Sequence, residues 1–240
     1  MQLSQTNITR CSPEQDIYNE LLDLNDKTIL ELGCGRAEIT RAIATSGKNR
    51  RITALEVDEI QYNINLTIDD LSNVDFIMGG AEKLPFADNS FDVLLMFKSL
   101  HHVPLAQMET ALSEIGRVLK PGGLAYISEP LFAGDFNDLL KLFHNEEQVR
   151  LAAFAAIKEA VETGVLSLQQ QCFFNTPMVF ENFADFEQKV LKVTHTDHRL
   201  PATLYAQVKQ KFESHMGESG AHFQMPTRVD LLRKEVGEKS

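Results

Sequence analysis

The segment Thr28-Ile29-Leu30-Glu31-Leu32-Gly33-Cys34-Gly35-Arg36 decides how the chain is read. A β-branched and apolar run, Thr28 to Leu32, stops on Gly33-Cys34-Gly35. A buried strand that ends on G-x-G brings backbone close to a ligand, because glycine has no Cβ and accepts positive φ. In an open α/β sheet, ligands sit outside the carboxyl ends of the strands, near the point where strand order reverses. Glu31 sets a carboxylate almost at the strand end.

On either side the pattern alternates strand and helix. Upstream, Ser12-Pro13-Glu14-Gln15 reads as a helix start with a capping box, followed by the stripe Ile17, Leu21, Leu22 and Leu24. This helix is expected across the mouth of the site. Tyr18 on it reads as a packing residue, with reach to a ligand as the alternative. Downstream, strands are expected at Arg51–Leu55, Val74–Met78, Phe91–Phe97 and Leu124–Ser128. Helices fall between them, at about 58–69 and at Pro104–Leu119, the latter stopped by the turn Lys120-Pro121-Gly122-Gly123. Such alternation implies right-handed crossovers and a parallel sheet.

After Glu129-Pro130 the rhythm changes. Residues 136–164 read as helical, 166–175 as a Gln-rich connector, 183–190 as a helix, 190–196 as a strand, 201–216 as a helix and 223–233 as a last strand. The expectation is one Rossmann-like, doubly wound α/β domain over residues 1–240. Its sheet has seven strands, mostly parallel, with an antiparallel last strand. A helix at about 12–25 and a helical cover at about 131–180, inserted after strand five, complete it.

Composition excludes some functions. The formal net charge is −11 and hydrophobic residues make up 43% of 240. Duplex DNA, RNA and anionic membranes call for clustered Lys and Arg, so none is expected as the main partner. No apolar run approaches the roughly 18 residues of a membrane span, and the first ten residues lack the apolar core of a signal peptide. Cys11, Cys34 and Cys172 show no C-x-x-C spacing, so no metal is called for and a reduced cytoplasmic protein is expected. The oligomeric state, a homo-oligomer included, is left open.

Three constellations carry chemistry. A nicotinamide fingerprint would place a third glycine at position 38, where this chain has Glu38. A carboxylate at that helix start competes with a pyrophosphate for the positive helix end. Glu56 ends the second strand, 23 residues beyond Gly33, where a carboxylate can accept hydrogen bonds from ribose hydroxyls. Val57 beside it can face an adenine. The loop Gly79-Gly80-Ala81-Glu82-Lys83-Leu84-Pro85-Phe86 follows the third strand on the same edge, and its small residues let backbone approach a base.

Together these pieces resemble the class I S-adenosylmethionine-dependent methyltransferases, closest to the small-molecule group that includes the ubiquinone/menaquinone-type enzymes. The matching segments are E-L-G-C-G-R, A-L-E-V-D, G-A-E-K-L-P-F-A-D-N-S-F-D-V, S-L-H-H-V and E-I-G-R-V-L-K-P-G-G, over about residues 28 to 130. The resemblance implies S-adenosylmethionine as cofactor. It implies that Gly33, Cys34, Gly35 and Arg36 wrap the methionine part and ribose, with Glu31 supporting the amino group. Glu56 would hold the ribose and Val57 would pack on adenine. Gly80, Ala81 and Glu82 would lie along the base, and Phe97 and Lys98 would line the methionine end. Gly80 stands where the family usually has an Asp, and Lys98 where a small polar residue is commoner.

The expected reaction is methyl transfer to a small organic acceptor by in-line displacement at the sulfonium. Orientation and water exclusion carry most of that reaction, so a base is not obligatory. His101, His102 and Glu129 lie at strand ends on the acceptor side and are the candidates for one. The phenylalanines of the insert, among them Phe136, Phe143, Phe154 and Phe174, either wall an apolar pocket or pack a core. The competing functions are a non-catalytic S-adenosylmethionine-binding protein and a nicotinamide oxidoreductase.

Overall fold

A computed structural model describes residues 1–193, 196 and 198–237. The chain runs through α1 (Glu14–Leu21), β1 (Thr28–Leu32), α2 (Glu38–Ala44), β2 (Arg51–Glu56), α3 (Glu59–Asn65), β3 (Val74–Met78) and β4 (Phe91–Phe97). Next come α4 (Met108–Val118), β5 (Leu119–Pro130), α5 (Asp135–Leu140) and α6 (Glu147–Glu162). It closes with β6 (Ser167–Phe180), α7 (Phe183–Phe186), α8 (Ala202–Glu213), β7 (Met216–Gly217) and β8 (Gly220–Arg233).

The strands form one sheet in the order β3-β2-β1-β4-β5-β8-β6, with β7 paired to β8. The first five are parallel, and β8 runs antiparallel to both β5 and β6. Strand order reverses between β1 and β4, so the ends of β1, β2 and β4 open onto one crevice. Period-two alternation in the central strands feeds a core on each face. Leu30, Leu94 and Ile127 pack with α4 and α6, and Ile29, Val93, Leu95 and Tyr126 pack with α1.

The structure departs from the sequence reading in four places. The Gln-rich connector is the 14-residue strand β6, so the helical cover ends with α6 and does not run to residue 180. Polar alternation hid this edge strand: Gln169 and Gln170 are exposed, while Phe174 and Phe180 are buried. Helical structure is found over the expected 183–190 as α7 followed by a π-helical turn at 187–191, so the strand expected over 190–196 does not start at 190; Thr194 and His195 of that expected strand lie outside the described residues. The turn Lys120 to Gly123 is absorbed into β5 as an irregularity, the register jumping from Phe91 opposite Leu119 to Val93 opposite Leu124. At α1 there is no capping box: the helix begins at Glu14, and the Ser12 hydroxyl donates to the Asp16 carboxylate at 3.1 Å.

Of the insert's phenylalanines, Phe136 and Phe174 are core residues, Phe143 packs part-buried against a core, and Phe154 lies under the Arg228 guanidinium at 4.6 Å. Phe136, Phe180, Phe186, Phe212 and Phe223 are buried against one another in a third core under α5, α7 and α8, and Phe174 is buried with the α1 face.

Candidate functional site

The turn after β1 is held from below. The amides of Gly33 and Cys34 both donate to the Leu55 carbonyl at 2.9 Å. Gly33 has φ +73°, and a Cβ on it would stand 2.7 Å from Ser99 Cβ, so glycine is required there for two independent reasons. Gly35 has φ +52°, but a Cβ there would meet nothing within 4 Å: it faces open space. The turn is also pinned from α3. Asn65, 1% exposed, donates to the Gly35 carbonyl at 2.8 Å and is itself held by Gln61 at 2.9 Å. The sequence reading missed Asn65 and Gln61, which are the buried residues of α3 while its isoleucines Ile60 and Ile64 are exposed, the reverse of what hydrophobic periodicity suggests.

Glu56 reaches back over this turn. One carboxylate oxygen accepts from the Gly35 amide at 2.7 Å, the other from the Val57 and Asp58 amides at 2.8 and 2.9 Å. An ionised carboxylate offers about four acceptor positions, so one position on the oxygen that faces Gly35 is left for a ligand. Val57 is 63% exposed, an unusual state for an apolar residue at a crevice rim. The next loop lies alongside. Ala81 is buried, and Glu82 folds back over Gly80, where a Cβ would stand 2.2 Å from its carboxylate. Arg117 clamps the loop by donating to the carbonyls of Leu84 and Phe86 at 3.0 and 2.7 Å.

Two predicted residues turn inward. Glu31 is buried and accepts from the Thr40 hydroxyl at 2.7 Å. Burial, reinforced by the nearby Glu56 charge and opposed by that hydrogen bond, pushes its carboxyl up to about 7. Cys34 is 7% exposed, and burial raises its thiol well above the usual range, which leaves it a small packing residue rather than a nucleophile. Arg36 and Glu38 are exposed.

At the end of β4, Lys98 takes φ +55° and pairs through Nζ with the buried carboxylate of Glu14 on α1. The Tyr126 hydroxyl is 3.4 Å from the same carboxylate. The rings of Tyr18, Phe97 and Tyr126 pack in sequence, tilted against one another, at 5.8 and 5.5 Å. Two buried hydroxyls here, Tyr18 and Ser128, have no hydrogen-bond partner among the described residues. Burial holds the Tyr18 phenol up at about 12, so it stays a neutral donor. An open turn, an incompletely satisfied carboxylate, an ammonium–carboxylate pair and two unpartnered hydroxyls together fit a zwitterionic amino acid joined to a nucleoside.

On the other side of β4, the three candidate bases are brought together but not left equivalent. Glu129 is 1% exposed and held through both oxygens, accepting from the Leu100 amide at 3.0 Å and bonding His101 Nδ1 at 2.5 Å. His101 is 4% exposed. Burial opposes its charge, yet Glu129 and then Glu146 override that and hold it up to about 9. Neither group is free to take a proton from an acceptor. His102 is the exposed member, its ring 4.1 Å from that of His101.

Residues 30–127 match a family model described as a methyltransferase domain. The chain is 32% identical over 101 residues to a fatty-acid O-methyltransferase of Mycolicibacterium smegmatis, covering 42% of this chain and 36% of that protein. It is 34% identical over 101 residues to the ubiquinone/menaquinone biosynthesis C-methyltransferase of Brucella canis, covering 40% and 37%. The chain thus spans little more than a third of the length of the curated relatives it matches. Among solved structures, the YcgJ protein of Bacillus subtilis superposes with a TM-score of 0.63 over 92% of this chain and 98% of that one, at 18% identity, a likeness of fold.

Proposed function

From a chain whose residues 30–127 match a methyltransferase-domain family model, we propose a class I S-adenosylmethionine-dependent methyltransferase and its whole activity: transfer of the sulfonium methyl of S-adenosylmethionine to a small organic acceptor. The observation that carries this is the crevice itself. The open glycine turn and the free acceptor position on Glu56 lie at one end, and the Lys98–Glu14 pair lies at the other.

In this reading Gly33, Cys34 and Gly35 present backbone to the cofactor, and Glu56 takes a ribose hydroxyl. Val57 and the backbone of Gly80 and Ala81 flank the base, with Glu82 at its edge and Arg36 at the open rim. The cofactor carboxylate goes to Lys98 and its ammonium to Glu14, each charge replacing one in the existing pair, while Phe97 and the Tyr18 hydroxyl close that end. Glu31 acts by fixing the strand end through Thr40. The bound cofactor supplies its own activation, a methyl on a sulfonium whose departing group is a neutral thioether. The protein holds the acceptor in line and keeps water out, which can supply on the order of 7–11 kcal/mol. Where the acceptor carries a proton, His102 is the exposed group placed to take it, steadied by His101 and Glu129.

The test is calorimetry with S-adenosylmethionine and with NAD, followed by turnover of methyl-labelled S-adenosylmethionine with a metabolite extract. Binding of S-adenosylmethionine and label in a small organic product are expected. Tight NAD binding would overturn the reading, and cofactor binding with no turnover in any extract would reduce the chain to a binding protein.

A further inference from the structure

Behind His102 lies a second convergence of side chains that cofactor binding does not use. Glu146 caps α6, and one of its oxygens, Oε1, is 3.0 Å from His144 Nε2 and 3.5 Å from His101 Nε2. One donor atom each from His101, His102 and Glu146 lie within 4.8 Å of one another. Imidazole nitrogens converging on one carboxylate oxygen make a donor set suited to Zn2+, Co2+ or Ni2+. We propose that His101, His102 and Glu146, with His144 as a fourth donor, bind a divalent transition-metal ion.

Three further features match what such a site needs. First, the buried ligand is oriented: Glu129 bonds His101 Nδ1 at 2.5 Å, which leaves Nε2 as the donor atom. This is the carboxylate–histidine arrangement found behind metal-bound imidazoles. Second, the carboxylate is oriented: Arg150 donates to Oε2 of Glu146 at 2.5 Å, which leaves Oε1 turned to the histidines. Arg150 is in turn fixed by the Leu131 carbonyl and the Asn137 side chain, both at 3.0 Å. Third, there is an entry path, because His102 is exposed and His144 only half-buried. Metal–ligand bonds of about 2.0–2.2 Å require the donors to draw in to roughly 3.3 Å from one another. Rotation of the rim imidazoles of His102 and His144 supplies that movement. Metal binding takes the histidines in their neutral form and releases any displaced proton to solvent. While His102 ligates the ion it does not accept a proton, so ligand and base are alternative states of one side chain.

The experiment is titration of the chelator-stripped full chain with Zn2+ by calorimetry and with Co2+ by visible absorption. One equivalent at micromolar affinity or tighter is expected, with d–d bands of a low-coordinate Co2+ site. His102→Ala and His144→Ala, both at the rim, should each weaken binding at least tenfold without lowering the metal-free melting temperature. Glu129→Gln, which keeps an acceptor for the Leu100 amide but removes the charge behind His101, should weaken it by about 10–100-fold. His215→Ala, on the remote aromatic core, should change nothing. No stoichiometric binding by the wild-type chain, or wild-type affinity retained in the His102 and His144 variants, overturns the site. None of these readouts depends on methyl transfer.

Discussion

Replacing Glu56 with alanine probes the ribose end of the crevice, and the structure sets how large the effect should be. Three backbone amides already use the Glu56 carboxylate, at 2.7, 2.8 and 2.9 Å. With about four acceptor positions available, a single ribose hydroxyl can be accepted without displacing an amide. The affinity at stake is therefore one charge-assisted hydrogen bond, about 1.5–3 kcal/mol, or about ten- to a hundredfold in Kd. The same substitution strips a charged acceptor from Gly35, so some loss could come from a loosened turn. A double cycle separates the two effects. Calorimetry would compare S-adenosylhomocysteine with its 2′-deoxy and 3′-deoxy analogues on wild type and on Glu56→Ala. If Glu56 holds a hydroxyl, one deoxy analogue loses that factor on wild type and nothing further on the variant. An unchanged Kd for the parent ligand, or a deoxy penalty that survives intact in Glu56→Ala, would refute the assignment.

Other outcomes follow from the same geometry. Glu31 is held at about 7 against 4.5 unfolded; a raised carboxyl favours the fold below the unfolded value, so about 3 kcal/mol is lost as pH rises through that window. Urea unfolding at pH 5 and pH 8 should show Glu31→Gln removing most of that difference, and parallel wild-type and variant profiles would sink it. Gly33→Ala should destabilise more than Gly35→Ala in chemical denaturation, since only the former adds a 2.7 Å approach to Ser99 to the positive-φ strain of about 1–2 kcal/mol; equal losses would contradict the packing argument. Lys98→Met should weaken S-adenosylmethionine binding several-fold yet leave its decarboxylated analogue unaffected; a uniform loss would remove Lys98 from the carboxylate. Transfer RNA at moderate salt should give no gel shift, as the −11 charge implies.

In the parallel half of the sheet β1 and β4 were the most legible strands, because nearly every residue in them is buried. Phe91 to Phe97 is apolar nearly throughout, and β1 ends on a glycine whose absent Cβ is demanded by Ser99. β6 was not legible because a long edge strand needs apolar residues on one face only, and the run Gln169, Gln170 and Gln171 makes its first half look like a linker. Glu56 and Lys98 could be singled out from strand ends alone. Their partners could not. Glu14 meets Lys98 across 84 positions, and Asn65 meets Gly35 across 30, distances at which local pattern carries no information.

The same limit explains why the histidine pair was read as a choice between two bases. Adjacent residues in a tight turn face different surroundings, and here the difference is large. His101 points at Glu129 on β5 and at Glu146, 45 positions further along the chain, whereas His102 faces the rim. Burial alone would lower the basicity of His101; two carboxylates reverse the sign. A group so strongly held makes a poor proton shuttle at neutral pH, because a general base works best when its own pKa is near the working pH. A fixed imidazole with an oriented carboxylate behind it is instead a good scaffold, for His102 or for a cation. The turn Leu100–His102 therefore separates one side chain that can exchange protons or ligands from one whose orientation makes that exchange geometrically defined.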